Sequence, residues 1–206
     1  GDDLEQPENV RLYLWASSQH VASPKVPAPA RGMAQTYFNV VSTSMFFRAN
    51  LDRLDAWVSR GEAPPASRIP RREDGTLVTA ETWREAFPAI PGVALPRGAR
   101  RHARPEVGPH FGAGMLASEP PTVVSGEEYP VQVPAVDADG NEIGGLRAPM
   151  VEAPLGTYTG WSLRRRDFGH GAMVGITGSY IPFPDTEDER TQTGDPRASV
   201  LARYAG

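Results

Sequence analysis

The sequence has no cysteine, which removes disulfides and thiolate metal sites from consideration. It has almost no lysine: among its 21 basic residues only Lys25 is one, and the rest are arginine. The two side chains suit different sites, so this one-sidedness reads as codon bias rather than as design for one ligand. Positive charge is not in surplus either. With 25 acids against 21 bases the net charge is −4, the wrong sign for a general binder of polyanions, which must neutralise phosphates. No nucleic-acid partner is expected. The longest apolar run, around Val10–Ala16, falls far short of the ~20 residues that span a bilayer, so no membrane span is expected. The chain opens on Gly1 rather than Met and shows no charged-then-apolar leader, from which a processed chain is expected.

Glycine and proline, by contrast, are abundant. There are 21 of each in 206 residues, against a combined share of roughly 12% in an average protein. The chain should be loop-rich while staying below the ~25–30% that marks aperiodic disorder. Its length suits one domain, or one and a fraction, and suffices to bury a core.

Three zones follow along the chain. After a polar lead-in, Val10–Ala16 is a short run of β-formers that predicts a buried, parallel-type strand. Residues 21–34 are rich in Pro and Ala and predict a loop. A helix is predicted over Ser42–Arg60, with Phe47, Leu51, Leu54 and Val58 forming one apolar stripe expected to face the core. Ser42 or Thr43 suits the N-cap and Gly61 the C-cap, with Pro64-Pro65 blocking continuation. The second zone, about Glu62 to Ala117, holds an Asp74-Gly75 turn, a short strand Thr76–Val78 and a helical turn or two after Thr79. In the third, two extended segments, Tyr129–Val136 and Glu142–Arg147, flank the turn Asp137–Asn141, and Pro130 and Pro134 bar the first from a central place in a sheet. Small residues between aromatics in GTYTGWSLRRR and MVGITGSYIPF suit closely packed backbone. The end reads as a short helix, a Gly-Asp-Pro turn and a last helical turn.

Chemistry rests on few residues. Only His20, His102, His110 and His170 are histidines. His20 follows the predicted strand across Ser17-Ser18-Gln19, and functional loops of open α/β sheets sit at the carboxyl ends of parallel strands. Strand, His loop and long amphipathic helix is the layout of the last strand and helix of an α/β-hydrolase, in which the His serves a serine as general base and acid. On layout alone a surface or structural role for His20 stays open. The nucleophile elbow G-x-S-x-G is absent; Ser162 and Ser179 are not flanked correctly. Chain order in that fold is Ser, then Asp or Glu, then His, so both partners of His20 would lie in a preceding polypeptide.

The segments NVRLYLWASSQH, LDRLDAWVSRGEAPPASRIPRREDGTLV, FPAIPGVALPRG, YPVQVPAVDADGNEIGGLR, APLGTYTGWSLR and VGITGSYIPF together resemble the C-terminal part of a poorly characterised group of bacterial alpha/beta hydrolase domain proteins, over about residues 9 to 204. The resemblance implies an α/β fold in two parts. Residues 1–61 would hold the last strand, the His loop and the last helix of a hydrolase core. Residues 62–206 would form an irregular Pro/Gly-rich extension with short β-strands that wraps the same domain. It implies a serine hydrolase, carboxylesterase-like, with His20 catalytic. Its Ser and acid, and hence a full active site, would come from an N-terminal polypeptide of the same hydrolase. A small-molecule ester is the expected substrate, with no cofactor and no metal, and an extracytoplasmic location follows from the family's secretion signals. The rival reading is a non-catalytic binding or structural module on a hydrolase-derived scaffold.

Other candidates point elsewhere. Asp137–Glu142 looks like a calcium loop, but its spacing is wrong and Asp-Gly and Gly-Asn suit a hairpin turn. His102 and His110 offer a metal two ligands with no evident third. The basic clusters Arg97–Arg104 and Arg164–Arg166 could grip a carboxylate or phosphate, or pair with the chain's own acids.

Overall fold

A computed structural model describes residues 3–20, 28–98 and 101–205. It mixes short helices with small antiparallel sheets. The largest sheet joins β1 (Tyr37–Phe38), β7 (Ser179–Pro182) and β6 (Gly156–Thr159), with β7 in the middle. In the β6–β7 pair Tyr158 lies opposite Tyr180, and their rings stack with centroids 5.2 Å apart. Two further pairs are β2 (Leu77–Thr79) with β5 (Gln132–Pro134), and β3 (Ala103–Glu106) with β4 (Thr122–Glu128).

The small residues of the third zone do what their spacing suggests. A Cβ on Gly156 would lie 2.5 Å from the Ile181 carbonyl oxygen, and one on Gly178 would run into the Thr159 carbonyl. Only glycine lets the β6 and β7 backbones approach this closely.

The helix α1 (Ser44–Arg60) forms where its periodicity places it. Gly61 ends it at φ +71, donating its N–H to the Trp57 carbonyl while Glu62 reaches that of Ala56. Its stripe, however, is not core. Phe47, Leu51, Leu54 and Val58 are 55%, 67%, 53% and 80% exposed. The helix packs instead through Met45 and Phe46, which join Val40, Val41, Ala148, Val151 and Tyr158, and through buried Ala56. Trp15 stacks on Phe46 at 5.5 Å, and the Arg11 guanidinium covers the Trp57 ring. The neighbours present here reach only the flank of the stripe.

The segment around Val10–Ala16 is extended but is no full strand. Tyr13 bridges Arg68 and Trp15 bridges Leu146, both in parallel sense. Leu14 donates to the Arg68 carbonyl and accepts from Leu146, and Ala16 donates to Leu146. The segment thus runs between two parallel neighbours, each of which touches it for a single bridge.

α2 (Ala80–Ala86) is capped by the Thr79 hydroxyl, which accepts the Thr82 N–H. Its Trp83 packs, with Val136 and Trp161, against a second apolar cluster of Phe87, Ile90 and Ile181 of β7. Near the end, α3 (Pro149–Glu152) is followed by α4 (Glu187–Thr193) and α5 (Val200–Tyr204), with the Gly194-Asp195-Pro196 turn between the last two. Arg197 is only 2% exposed. Its guanidinium meets Asp195 at 2.9 and 2.6 Å and also donates to Thr157 Oγ1 and to the carbonyls of Ile181 and Pro182. This pair ties the C-terminal turn to β6 and β7. Among the described residues no helix is long and apolar enough to cross a membrane.

Candidate functional site

His20 sits where the extended segment gives way to a tight turn. The turn is built around Ser17, a buried residue at φ +57, a backbone region that a non-glycine side chain rarely occupies. Its surroundings hold it there. The Ser17 N–H donates to Glu142 Oε2 at 2.6 Å, while the Glu142 N–H donates to Ser17 Oγ at 2.8 Å. The Asn39 amide donates to the Ser17 carbonyl at 2.8 Å and to that of Thr159 at 2.9 Å. Ser18 Oγ donates back to the Trp15 carbonyl, and Gln19 Oε1 accepts the Gly178 N–H at 3.0 Å. Every residue from Ser17 to Gln19 is therefore anchored. His20 itself is exposed, and among the described residues it makes no hydrogen bond to a serine hydroxyl. The structure fixes the approach to the imidazole without giving it a catalytic partner.

Of the two serines considered as nucleophiles, one is hydrogen-bonded within the sheet and the other is buried. Ser179 Oγ donates to the Trp161 carbonyl at 2.9 Å and receives Thr36 Oγ1. Ser162 is fully buried, and its hydroxyl has no partner among the described residues. The remaining histidines, His102, His110 and His170, are exposed, and no metal-holding group of His, Asp and Glu occurs among the described residues. The Asp137–Asn141 segment is the turn its sequence suggests, with Asp137 Oδ1 accepting the N–H groups of Asp139 and Asn141. Of the basic clusters, Arg101 and Arg104 pair with Glu128 and Glu127 across β3 and β4, and Arg164 Nε donates to the Met173 carbonyl.

Glu142 was not singled out by sequence, where it closes the turn. It is the acid that stands out by environment. Burial pushes its carboxyl up to about 6, against the opposing pull of the Ser17 N–H. A sequence signal for it exists in Gly144-Gly145: a Cβ on Gly145 would lie 2.6 Å from the Leu14 carbonyl oxygen. These glycines bring the Glu142 segment against the chain leading to His20.

Residues 2–204 match the family model for an alpha/beta hydrolase domain. The chain belongs to that family. No curated protein and no solved structure matches it. Membership in the alpha/beta hydrolase domain family points to hydrolase-type chemistry.

Proposed function

We propose that this chain is the His-bearing C-terminal part of a serine hydrolase that cleaves carboxylic esters, with Ser and Asp or Glu supplied by an N-terminal polypeptide of the same hydrolase. The observation that carries this reading is the His20 loop: an exposed imidazole at the end of three residues pinned by Glu142, Asn39 and the Gly178 N–H. A base that must meet a hydroxyl from another segment needs both accessibility and a fixed position. Two further features support it. No G-x-S-x-G occurs in the sequence, so a family member of this type must find its nucleophile elsewhere. The exposed stripe Phe47, Leu51, Leu54 and Val58 leaves apolar surface of the kind that a preceding hydrolase core would cover.

In the mechanism His20 accepts the serine proton as the serine oxygen attacks the ester carbonyl. The imidazolium then returns that proton to the leaving alcohol. In the second half His20 takes a proton from water as the water oxygen attacks the acyl carbon, and returns it to the serine oxygen as the acyl–serine bond breaks and the acid leaves. Backbone N–H groups hold the oxyanion. In this reading residues 1–61 belong to the catalytic core and 62–206 wrap it.

The second reading, a non-catalytic binding module, draws on the lack of any serine hydroxyl at His20 among the described residues. Co-expression with the polypeptide encoded immediately upstream, followed by labelling with a fluorophosphonate, separates the two. Labelling of one upstream serine supports the hydrolase; a reassembled protein that stays unlabelled supports the module.

A further inference from the structure

α2, β5 and β6 enclose a half-open cavity of about 540 Å³. Its walls include Trp83, Phe87, Tyr158 and Trp161, and Glu142 is the one acid among the described lining residues. The rings form a connected group: Trp83 meets Phe87 at 5.1 Å and Trp161 at 6.1 Å, and Phe87 meets Trp161 at 5.8 Å. A volume of this size suits a small molecule, and apolar walls with a few fixed polar groups are the usual make-up of ligand sites.

We propose that this cavity binds a small organic cation, an aryl- or alkylammonium group whose charge meets the Glu142 carboxylate while its apolar body lies among the Trp83, Phe87 and Trp161 rings. The proposal goes beyond the ester-hydrolase reading; the two share Glu142, which in that reading only pins Ser17 ahead of His20.

Glu142 offers one free oxygen. Oε2 is taken by the Ser17 N–H, whereas Oε1 has no hydrogen-bond donor among the described residues. No described Arg or Lys forms an ion pair with it. Glu142 is half-buried, and a partly desolvated carboxylate without a cationic partner is costly; a ligand cation would supply what the protein does not. Arg84 is the sole cationic side chain among the described lining residues, and its guanidinium donates to the Pro96 carbonyl. Tyr158 is the other titratable wall residue, and burial holds its phenol up at about 12, so it stays neutral. Arg84 is exposed and turned to that carbonyl, which leaves the Glu142 carboxylate and several electron-rich ring faces to attract a desolvated cation together. An anionic ligand would meet that carboxylate instead.

The test is titration of the full chain with phenyltrimethylammonium and with its neutral isostere tert-butylbenzene, followed by tryptophan fluorescence and calorimetry. The cation should saturate one site and bind at least about tenfold more tightly than the isostere. Glu142→Gln keeps an acceptor for the Ser17 N–H and should weaken the cation at least about tenfold while leaving the isostere unchanged. Trp161→Leu should weaken both probes. His20→Ala should alter neither, so a failed esterase reading leaves this result intact. Equal affinity for the two probes, cation binding untouched by Glu142→Gln in a folded variant, or no saturation by about 10 mM cation would each overturn the proposal.

Discussion

Ser17 and Glu142 lie 125 residues apart and exchange two hydrogen bonds: the backbone N–H of each reaches the side-chain oxygen of the other, at 2.6 and 2.8 Å. The exchange couples an unusual backbone at Ser17 to a half-buried carboxylate. It also fixes the last buried residue before His20.

A pH signature follows from Glu142. Burial raises its folded-state value to about 6 from an ordinary 4.5. A raised carboxyl binds its proton more tightly when folded. Its contribution to stability is thus complete below about pH 4.5 and is lost as the pH climbs through 6. The size is about 2 kcal/mol. Urea unfolding of the chain and of Glu142→Gln between pH 4 and 7 should show the variant gaining relative stability as pH rises. Parallel curves would show that Glu142 does not carry this cost.

Asp195 has the opposite sign. Burial alone would raise its carboxyl, but the Arg197 hydrogen bonds outweigh burial and hold it below the usual carboxylate range. Its contribution is present at neutral pH and is lost as the pH falls through the lowered value. Arg197→Ala leaves Asp195 with only the backbone N–H of residue 197 and removes the guanidinium from three further acceptors, and should cost roughly 3–5 kcal/mol. Arg197→Met paired with Asp195→Leu should cost less than Arg197→Ala alone, as read from denaturation midpoints.

Two glycine substitutions should behave differently. Gly61 sits at φ +71 with open space around its would-be Cβ, so Gly61→Ala should cost about 1 kcal/mol through backbone strain alone. Gly178→Ala would push a methyl into the Thr159 carbonyl between β6 and β7 and should cost upwards of about 3 kcal/mol. Comparable losses in thermal unfolding would contradict the close β6–β7 approach.

The exposed stripe makes a separable prediction. Leu51→Asp and Leu54→Asp should change the chain's own stability by no more than about 0.5 kcal/mol, because neither side chain is buried here. They should abolish co-purification with the upstream polypeptide. Retained association would place that contact elsewhere.

Much of the local structure was legible in the residues. The α1 periodicity and Gly61, the Asp74-Gly75 turn before β2, the Asp137–Asn141 turn and the glycines of β6 and β7 all express short-range rules. The direction in which α1 faces was not. A 3.6-residue stripe reports that a helix has an apolar face, not which neighbour is present to cover it, and here Met45, Phe46 and Ala56 make the contacts. Val10–Ala16 shows the same limit: its β-forming run yields an extended segment between parallel neighbours, while the number of bridges depends on distant Arg68 and Leu146. The β3–β4 pair was missed because Ala103–Glu106 carries charge and proline rather than alternation. Glu142 was missed because its distinction lies in its surroundings, which only the fold assembles.

The central claim is that His20 is the base of an ester hydrolase. The most direct measurement is the turnover of a short-chain p-nitrophenyl ester by the reassembled protein with and without His20→Ala. The account predicts a loss of about 10³-fold or more in kcat, with folding and association retained; unchanged turnover in the variant would contradict it.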